Sequence, residues 1–211
     1  MSNNQQNHWN NKHKAGHISK FSEEPNPLAV EVSRFIQIGA KILELGCGAG
    51  IDSKYFAGQG FDVVSTDFAS VVIAENQERY KDIPNLKFEV LDTKVLNSFK
   101  YEDFDLIYAR LSLHYFTDIE TKLIFKAIRN KLVAGGKLAF LCKSTKDPFY
   151  GQGELIEKDM YTLDGHVRHF FSEEYAVECL TNDFKILTLE SGDEFFNGKK
   201  SSFVKIICEK K

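Results

Sequence analysis

The alternation of apolar and polar segments along the chain predicts a sheet whose strands are separated by helices. Apolar residues recur at helical spacing over residues 27–38, where Leu28, Val32 and Phe35 share one face. Short runs rich in β-branched and aromatic residues predict strands at 41–45, 61–66, 86–90, 104–108 and 137–142. Helices are predicted between them at 50–59, 69–80 and 119–132. Such alternation is typical of βαβ units, so we expect a parallel sheet covered by helices on both faces.

The glycines that follow two of these helices are expected to end them. Gly60 follows the helix 50–59, and Gly135 and Gly136 follow the helix 119–132. Glycine is favoured just after a helix because it adopts the left-handed backbone conformation without steric cost. We therefore expect Gly135 and Gly136 to form a helix cap ahead of the strand 137–142.

The C-terminal third of the chain departs from this alternation. Residues 143–170 combine glycines with aromatic residues and show no clear period, so we expect a long loop of functional importance. Ser172 is placed to cap a helix that runs to about residue 181. Strands follow at 185–190 and 203–209, and their connection is too short for a helical crossover. These last two strands should therefore be antiparallel to each other.

Length and charge limit the classes of function. A chain of 211 residues suits one domain with a full core, which we place at 27–211 behind an N-terminal arm at 1–26. The 27 basic and 30 acidic residues give a net charge of −3, which provides no general attraction to nucleic acid or anionic membrane. We therefore expect no nucleic-acid partner and no membrane partner.

The polar N-terminus and the cysteines bear on location and metal binding. The first 14 residues lack the apolar core of a signal peptide, and no apolar run approaches the ~20 residues of a membrane span. None of the four cysteines belongs to a paired motif of the kind that binds zinc. We expect a cytoplasmic protein with reduced thiols and no metal site.

A glycine-rich turn follows the first predicted strand. Gly46, Gly48 and Gly50 let the backbone approach a ligand closely and aim the next helix at it. Ile51 stands where a dinucleotide-binding fingerprint has its third glycine, which disfavours a nucleotide-dependent oxidoreductase. Glu44, just before the turn, would repel phosphate and attract an amino acid's ammonium group.

Two further carboxylates follow neighbouring strands. Asp67 ends the second strand, where a carboxylate can accept hydrogen bonds from both ribose hydroxyls. Asp92 follows the third strand and can reach an adenine amino group, although a helix cap is an equal alternative. Cys47 within the turn is interpreted as a small space-filling residue rather than a nucleophile.

The run ILELGCGAG at 42–50, with Asp67, Asp92 and FDLIY at 104–108, resembles the class I S-adenosylmethionine (SAM)-dependent methyltransferase family. The resemblance covers roughly residues 27–142. It implies an α/β, Rossmann-like three-layer sandwich with a mostly parallel seven-stranded sheet whose last strand is antiparallel. It also implies SAM as cofactor and S-adenosylhomocysteine as product. The expected cofactor-binding residues are Glu44, Gly46, Cys47, Gly48, Asp67, Phe68, Asp92, Thr93 and Arg110.

The segment after the fourth strand bears on the methyl acceptor. Amino-group DNA methyltransferases carry Asn/Asp-Pro-Pro-Tyr/Phe here, whereas this chain has YARL at 108–111, which argues against a nucleobase amine. The following residues 113–116, LHYF, resemble the small-molecule branch of the family. His114 is a candidate general base, because its unperturbed pKa lies near neutrality, or a structural residue beneath the cofactor. Tyr115 is a candidate acceptor contact.

Two other segments, residues 143–170 and the N-terminal arm, are candidates for covering the site. Residues 143–170 are a predicted substrate-side insertion, in which Tyr150 and Arg168 are candidate acceptor contacts. Arg168 with its two flanking histidines can bind an anion. The alternative is that this segment is a solvated loop. The leader 9–16 resembles that of tellurite-resistance-type and thiopurine-type methyltransferases, in which it folds over the cofactor. We therefore expect Trp9 and Phe21 to form a lid, with a disordered arm as the alternative.

Together these features predict a methyltransferase that moves the methyl group of SAM to a small-molecule acceptor by in-line displacement. Positioning supplies much of the rate of such a reaction, so the sequence need not show a strong catalytic set. Two alternatives stay open, a protein or RNA methyltransferase and a non-catalytic SAM-binding protein. The acceptor and the oligomeric state are not indicated by the sequence.

Overall fold

A computed structural model of the chain describes residues 9–11, 24–180, 182–196 and 198–211. The helices are α1 Pro27–Val32, α2 Ile51–Gly58, α3 Ser70–Arg79, α4 Asp118–Lys131 and α5 Glu173–Leu180. The strands are β1 Lys41–Leu45, β2 Asp62–Asp67, β3 Leu86–Val90, β4 Phe104–Arg110, β5 Leu132–Lys143, β6 Glu154–Glu157, β7 Met160–Leu163, β8 His166–His169, β9 Phe184–Phe196 and β10 Lys199–Lys210. Short 3-10 helices lie at Ser33–Phe35 and Thr93–Ser98.

A seven-stranded sheet organises the domain. Its strand order is β3-β2-β1-β4-β5-β10-β9. The pairs among β1 to β5 are parallel, whereas β10 runs antiparallel to both β5 and β9. The strand order reverses between β1 and β4, which is where open α/β sheets form a ligand crevice beyond the carboxyl ends of the strands. The predicted fold class is confirmed, including the reversal of the last strand.

Helices cover both faces of this sheet, as near-continuous apolar strands require. On one face Leu43 and Ile107 pack with Ile128 of α4, in a cluster that also includes α5. On the other face Ile42 and Leu106 pack in a cluster with α1 and α2. Successive residues of β1 and β4 therefore point into different cores, which gives the three-layer sandwich.

The glycines after α4 are a correction to the predicted helix end. The helix ends at Lys131 and β5 begins at once with Leu132, so Gly135 and Gly136 lie inside the strand. Gly135 has φ +70°, and the pairing of β5 with β4 shifts register over this stretch. The two glycines thus allow an irregular strand entry rather than a helix cap.

Residues 143–170 are a second correction. Instead of a loop, they contain a separate antiparallel sheet of β6, β7 and β8, which we call the cap sheet. The amide of His169 donates to the carbonyl of His114 at 2.9 Å, which attaches the cap sheet to the segment after β4. Each strand has four residues, too few for a period of two to stand out in the sequence.

Other differences concern the lengths of elements and the state of the cysteines. The helix predicted at 27–38 ends at Val32 and continues as a 3-10 turn, while β9 and β10 extend well beyond the predicted 185–190 and 203–209. All four cysteines are free thiols. Within the described part of the chain, no helix is both long enough and apolar enough to span a membrane.

Candidate functional site

The glycine turn after β1 closes tightly on one side and stays open on the other. Gly46, Gly48 and Gly50 have φ values of +78°, +49° and +73°, a region that disfavours other residues. A Cβ on Gly46 would collide with the Cβ of Ser112. A Cβ on Gly48 would meet no described atom within 4 Å. The backbone at Gly48 is therefore accessible to a ligand, whereas Gly46 is needed for packing.

Glu44 lies buried beneath this turn, with 3% of its surface exposed. Its Oε2 accepts hydrogen bonds from the hydroxyls of Ser53 and Ser65, the latter at 3.1 Å. Burial, followed by the negative charge of Asp52, raises the pKa of Glu44 to about 8. The serine hydroxyls oppose this shift without cancelling it. The predicted attraction of Glu44 for a cofactor ammonium group stays a prediction.

Asp67 ties the turn to the end of β2. Its Oδ2 accepts from the amide of Gly48 at 3.0 Å, and its Oδ1 accepts from the amide of Ala69 at 2.9 Å. Phe68, which lies between Asp67 and Ala69 in the sequence, is half-buried. Binding of ribose hydroxyls by Asp67 stays a prediction.

Asp92 lies next to Asp67 at the same edge of the sheet. The amide of Leu91 donates to the carbonyl of Asp67 at 3.0 Å, which joins the ends of β2 and β3. Oδ1 of Asp92 accepts from the amide of Lys94 at 3.0 Å, so Asp92 caps the 3-10 helix that begins at Thr93. The capping alternative is therefore realised, and contact with an adenine group stays a prediction.

A supporting layer of polar residues was not predicted. The side-chain amide of Asn76 donates to the carbonyl of Gly48 at 2.7 Å, and the hydroxyl of Ser112 donates to the carbonyl of Leu45 at 2.6 Å. Asp52 accepts from the hydroxyl of Tyr108 at 2.7 Å and from the amide of Asn26 at 2.7 Å. The one residue that could have indicated this layer from the sequence is Asn76, a polar residue on the buried face of α3.

Cys47 and Arg110 both make contacts within the protein that support its structure. The Cys47 thiol is buried, and burial raises its pKa well above the usual value, which agrees with the interpretation as a space-filling residue. The guanidinium of Arg110 forms an ion pair with Glu194 of β9 at 3.3 Å. Contact of either residue with a cofactor stays a prediction.

His114 lies in the segment after β4, at the edge of the sheet where the turn also lies. Its side chain is fully buried, and neither ring nitrogen has a hydrogen-bond partner among the described residues. Burial lowers the pKa of His114 well below 6.5, and nearby positive groups, Lys143 first, lower it further. The imidazole is therefore neutral and a weak base, which disfavours the predicted role as general base.

Three aromatic rings meet beside His114. The ring centroids of Trp9, Tyr115 and His166 lie 5.4 to 5.5 Å from one another, and Tyr115 stacks on His166. Asn10 also approaches the amide of Val71, near Asp67, at 3.5 Å. The described residues 9–11 thus contact both the turn side and the cap-sheet side, and the lid role of Trp9 stays a prediction.

The other acceptor candidates fall in different places. Arg168 donates to Nδ1 of His166 at 2.7 Å and lies over the ring of Phe149. Tyr150 donates to Asp159 at 2.7 Å within the cap-sheet region and is 37% exposed. Phe21 lies outside the described residues.

The geometry of the cleft indicates the class of protein. A glycine turn after the central strand, with carboxylates at the ends of β1, β2 and beyond β3, forms a cofactor cleft at the carboxyl edge of a Rossmann-like sheet. The family model described as "Methyltransferase domain" matches residues 42–136, which contain all of these groups.

Comparisons with known proteins agree. Malonyl-[acyl-carrier protein] O-methyltransferase 1 of Ilyobacter polytropus is 30% identical over 162 residues, 74% of this chain and 56% of the relative. EEF1A lysine methyltransferase 4 of Bos taurus is 38% identical over 68 residues, 32% of this chain and 26% of the relative. The chain thus spans about half, or less, of the length of these curated relatives.

A solved structure shows the same fold. The crystal structure of a SAM-dependent methyltransferase from Methanosarcina mazei has a TM-score of 0.74 at 21% identity, covering 89% of this chain and 98% of that chain. Residues 42–136 thus match a methyltransferase domain, and the chain shares the fold of a SAM-dependent methyltransferase. The cofactor that these matches imply is SAM, as the sequence predicted. The named relatives differ in acceptor, so the matches leave the acceptor open.

Proposed function

We propose that the protein transfers the methyl group of SAM to a small-molecule acceptor. The observation that carries this proposal is the accessible backbone of Gly48, whose amide is held by Asp67. An open glycine beside a carboxylate suits a ligand that has ribose hydroxyls but no phosphate. The residues therefore fit SAM.

Each residue of the cleft has a proposed role toward the cofactor. Asp67 would hold the ribose hydroxyls, and Asp92 with Thr93 would hold the adenine. Gly46, Gly48 and Glu44 would hold the methionine part. Bound SAM would supply a methyl group on a positively charged sulfur, which an acceptor displaces in line. The chain's own contribution is to align donor and acceptor and to exclude water.

The acceptor is placed at Tyr115, between the turn and the cap sheet. The Tyr115 ring lies against Trp9 and stacks on His166 of the cap sheet, and Asp67 and Arg168 both act electrostatically on its hydroxyl. We propose that Trp9 acts as a lid and that residues 143–170 are the substrate-side insertion of a domain spanning 27–211. A covered site of this kind suits a small acceptor rather than a folded macromolecule.

Calorimetry with SAM and S-adenosylhomocysteine tests the donor half. We expect binding by the parent protein and at least a tenfold loss of affinity in Asp67→Ala, because the ribose contacts and the support of Gly48 are removed together. Asp82→Ala removes an exposed carboxylate and serves as the matched control. No heat from the parent at high micromolar ligand would contradict the proposal.

A second candidate is a SAM-binding protein without turnover. It is favoured by the contacts of Trp9 with Tyr115 and His166, which fill the space beside His114. The two candidates separate on one measurement, the formation of S-adenosylhomocysteine. SAM binding without any such product, across thiol, carboxylate and amine acceptors, would support this second candidate.

A further inference from the structure

Basic groups surround the acceptor side of the cleft. After burial itself, the groups that lower the pKa of His114 are Lys143, His166, Arg168 and His169. They come from β5 and from β8 of the cap sheet, so the arrangement is created by the fold rather than by one segment.

Carboxylates also lie near these basic groups, and Glu157, Asp118 and Asp159 act electrostatically on His169. Asp147 accepts from Lys143 at 2.7 Å and from the amide of Ser202 at 3.0 Å. Glu157 accepts from the amide of Asp118 at 2.6 Å, and Asp159 accepts from the hydroxyl of Tyr150. Asp147 therefore balances the charge of Lys143.

Arg168, unlike Lys143, has no carboxylate partner among the described residues. No carboxylate of the described residues lies within the 4.0 Å of an ion pair from Arg168. Its contacts are Nδ1 of His166 and the face of Phe149. Arg168 thus presents a guanidinium with which no described carboxylate forms an ion pair, at the edge of the proposed acceptor site.

His114 gives a second and independent observation. A buried polar atom without a partner is costly, and few occur in native structures. The neutral imidazole of His114 has one N–H donor and one acceptor nitrogen, and both are buried without partners among the described residues. A ligand with its own polar atoms would supply the missing partner.

We propose that the methyl acceptor is an anionic small molecule, with its negative charge bound by Arg168 and its polar group hydrogen-bonded by His114. This inference rests on the proposed function and names the substrate class of the same site. The nucleophilic atom of the acceptor forms a bond to the methyl carbon as the bond from that carbon to the sulfonium breaks. The electron pair of the broken bond stays on sulfur.

Such a reaction does not need His114 as a base. A carboxylate attacks without losing a proton, and a thiol releases its proton to water. His114 then acts as a hydrogen-bond donor that orients the acceptor. A protonated amine would have to lose a proton and also enter a positively charged region, so cationic acceptors are disfavoured.

Three thiols of similar size test the charge preference. They are 3-mercaptopropionate, which is anionic, 3-mercaptopropanol, which is neutral, and cysteamine, which is cationic. Trp9 is the only tryptophan of the chain and lies against Tyr115 and His166, so its fluorescence can report binding to the S-adenosylhomocysteine-loaded protein. The formation of S-adenosylhomocysteine from SAM gives turnover with the same three compounds.

We expect 3-mercaptopropionate to bind at least tenfold more tightly than cysteamine, with the neutral thiol between them. Arg168→Gln should reduce this preference about tenfold, because a charge-assisted hydrogen bond is lost. Arg34→Gln removes an exposed arginine of the 3-10 helix Ser33–Phe35 and should leave the preference unchanged.

Equal binding of the three thiols, a preference for cysteamine, or a preference retained by Arg168→Gln would overturn the inference. So would the absence of saturable binding of all three. Calorimetry with S-adenosylhomocysteine on the same samples separates this failure from that of the proposed function. A parent protein that binds S-adenosylhomocysteine but shows no charge preference contradicts only the acceptor inference.

Discussion

Glu44 on the donor side of the cleft and His114 on the acceptor side are both buried titratable groups, and their surroundings differ. Glu44 lies under the glycine turn with two serine hydroxyls bonded to it, whereas His114 has no hydrogen-bond partner among the described residues. Burial moves both pKa values toward the neutral form, upward for Glu44 and downward for His114. Glu44 thus has hydrogen-bond partners within the protein, whereas both ring nitrogens of His114 lack one among the described residues.

The largest effect should come from separating the two roles of glycine in the turn. Gly46→Ala places a Cβ against Ser112 and should lower the free energy of unfolding by about 3 kcal/mol or more. The Cβ of Gly48→Ala meets open space, so the cost comes only from the left-handed backbone conformation. This should lower the free energy of unfolding by about 1–2 kcal/mol. Its main effect should be at least a tenfold loss of SAM affinity, measured by calorimetry.

Removing the Ser112 side chain provides the control for the two alanine substitutions. Ser112→Gly in the Gly46→Ala background should recover part of the lost stability in urea unfolding, because the colliding Cβ is gone. Equal effects of the two alanine substitutions on both stability and SAM affinity would contradict the distinction between a packed and an open glycine.

Glu44 should give the ligand-free protein a stability that falls as pH rises. Its pKa is higher in the folded than in the unfolded state, so the folded state binds more protons between about pH 5 and pH 8. The resulting loss is at most about 1.4 kcal/mol per pH unit. Glu44→Gln should therefore be more stable than the parent at pH 8 and similar to it at pH 5, as measured by thermal unfolding.

Glu78→Gln, at an exposed position of α3, is the matched control and should follow the parent at both pH values. The same Glu44→Gln protein should bind SAM more weakly at pH 8, where the parent can ionise Glu44 against the cofactor's ammonium group. A variant with the pH profile of the parent would mean that Glu44 does not titrate in this range.

On the acceptor side, two buried histidines allow a direct comparison. His114→Leu removes two nitrogens that lack partners and should stabilise the ligand-free protein by about 1–2 kcal/mol. His169→Leu removes a ring whose Nδ1 is 3.1 Å from the carbonyl of Phe116 and should destabilise it by about 1 kcal/mol. Urea unfolding measures both, and turnover should fall in His114→Leu despite its higher stability.

The smallest effect is expected between the two sides, at the ion pair of Arg110 and Glu194. Glu194→Gln should cost at most about 1 kcal/mol, with the difference from the parent vanishing in high salt. SAM affinity should stay within about twofold, since Asp67 and the turn are untouched. A loss of SAM affinity in Arg110→Gln alone would place the guanidinium on the cofactor, as the sequence predicted.

The donor side was predictable because its signals are local. Glu44, the three glycines and Asp67 lie at strand ends that the alternation of elements already located, and backbone conformation dictates glycine in such a turn. The supporting contacts of Asn76 and Ser112 join segments far apart in sequence, so no local pattern reveals them.

The acceptor side was harder to predict for the same physical reason. The four-residue strands of the cap sheet are stabilised by pairing with one another, and their sequence carries little period of its own. His114 was identified as a candidate from its type and place. Its burial and missing partners depend on how the cap sheet covers it, which is a property of tertiary structure.

Main-chain hydrogen bonds help to fasten the cap sheet to the domain. The amides of His169 and of Phe171, just after the cap sheet, donate to the carbonyls of His114 and Lys143, at 2.9 and 2.8 Å. Such bonds do not depend on which side chains the acceptor segment carries. The fold can therefore accumulate substitutions around the acceptor without losing its cover, so that selection can change what is methylated while the machinery that holds the methyl donor is inherited intact.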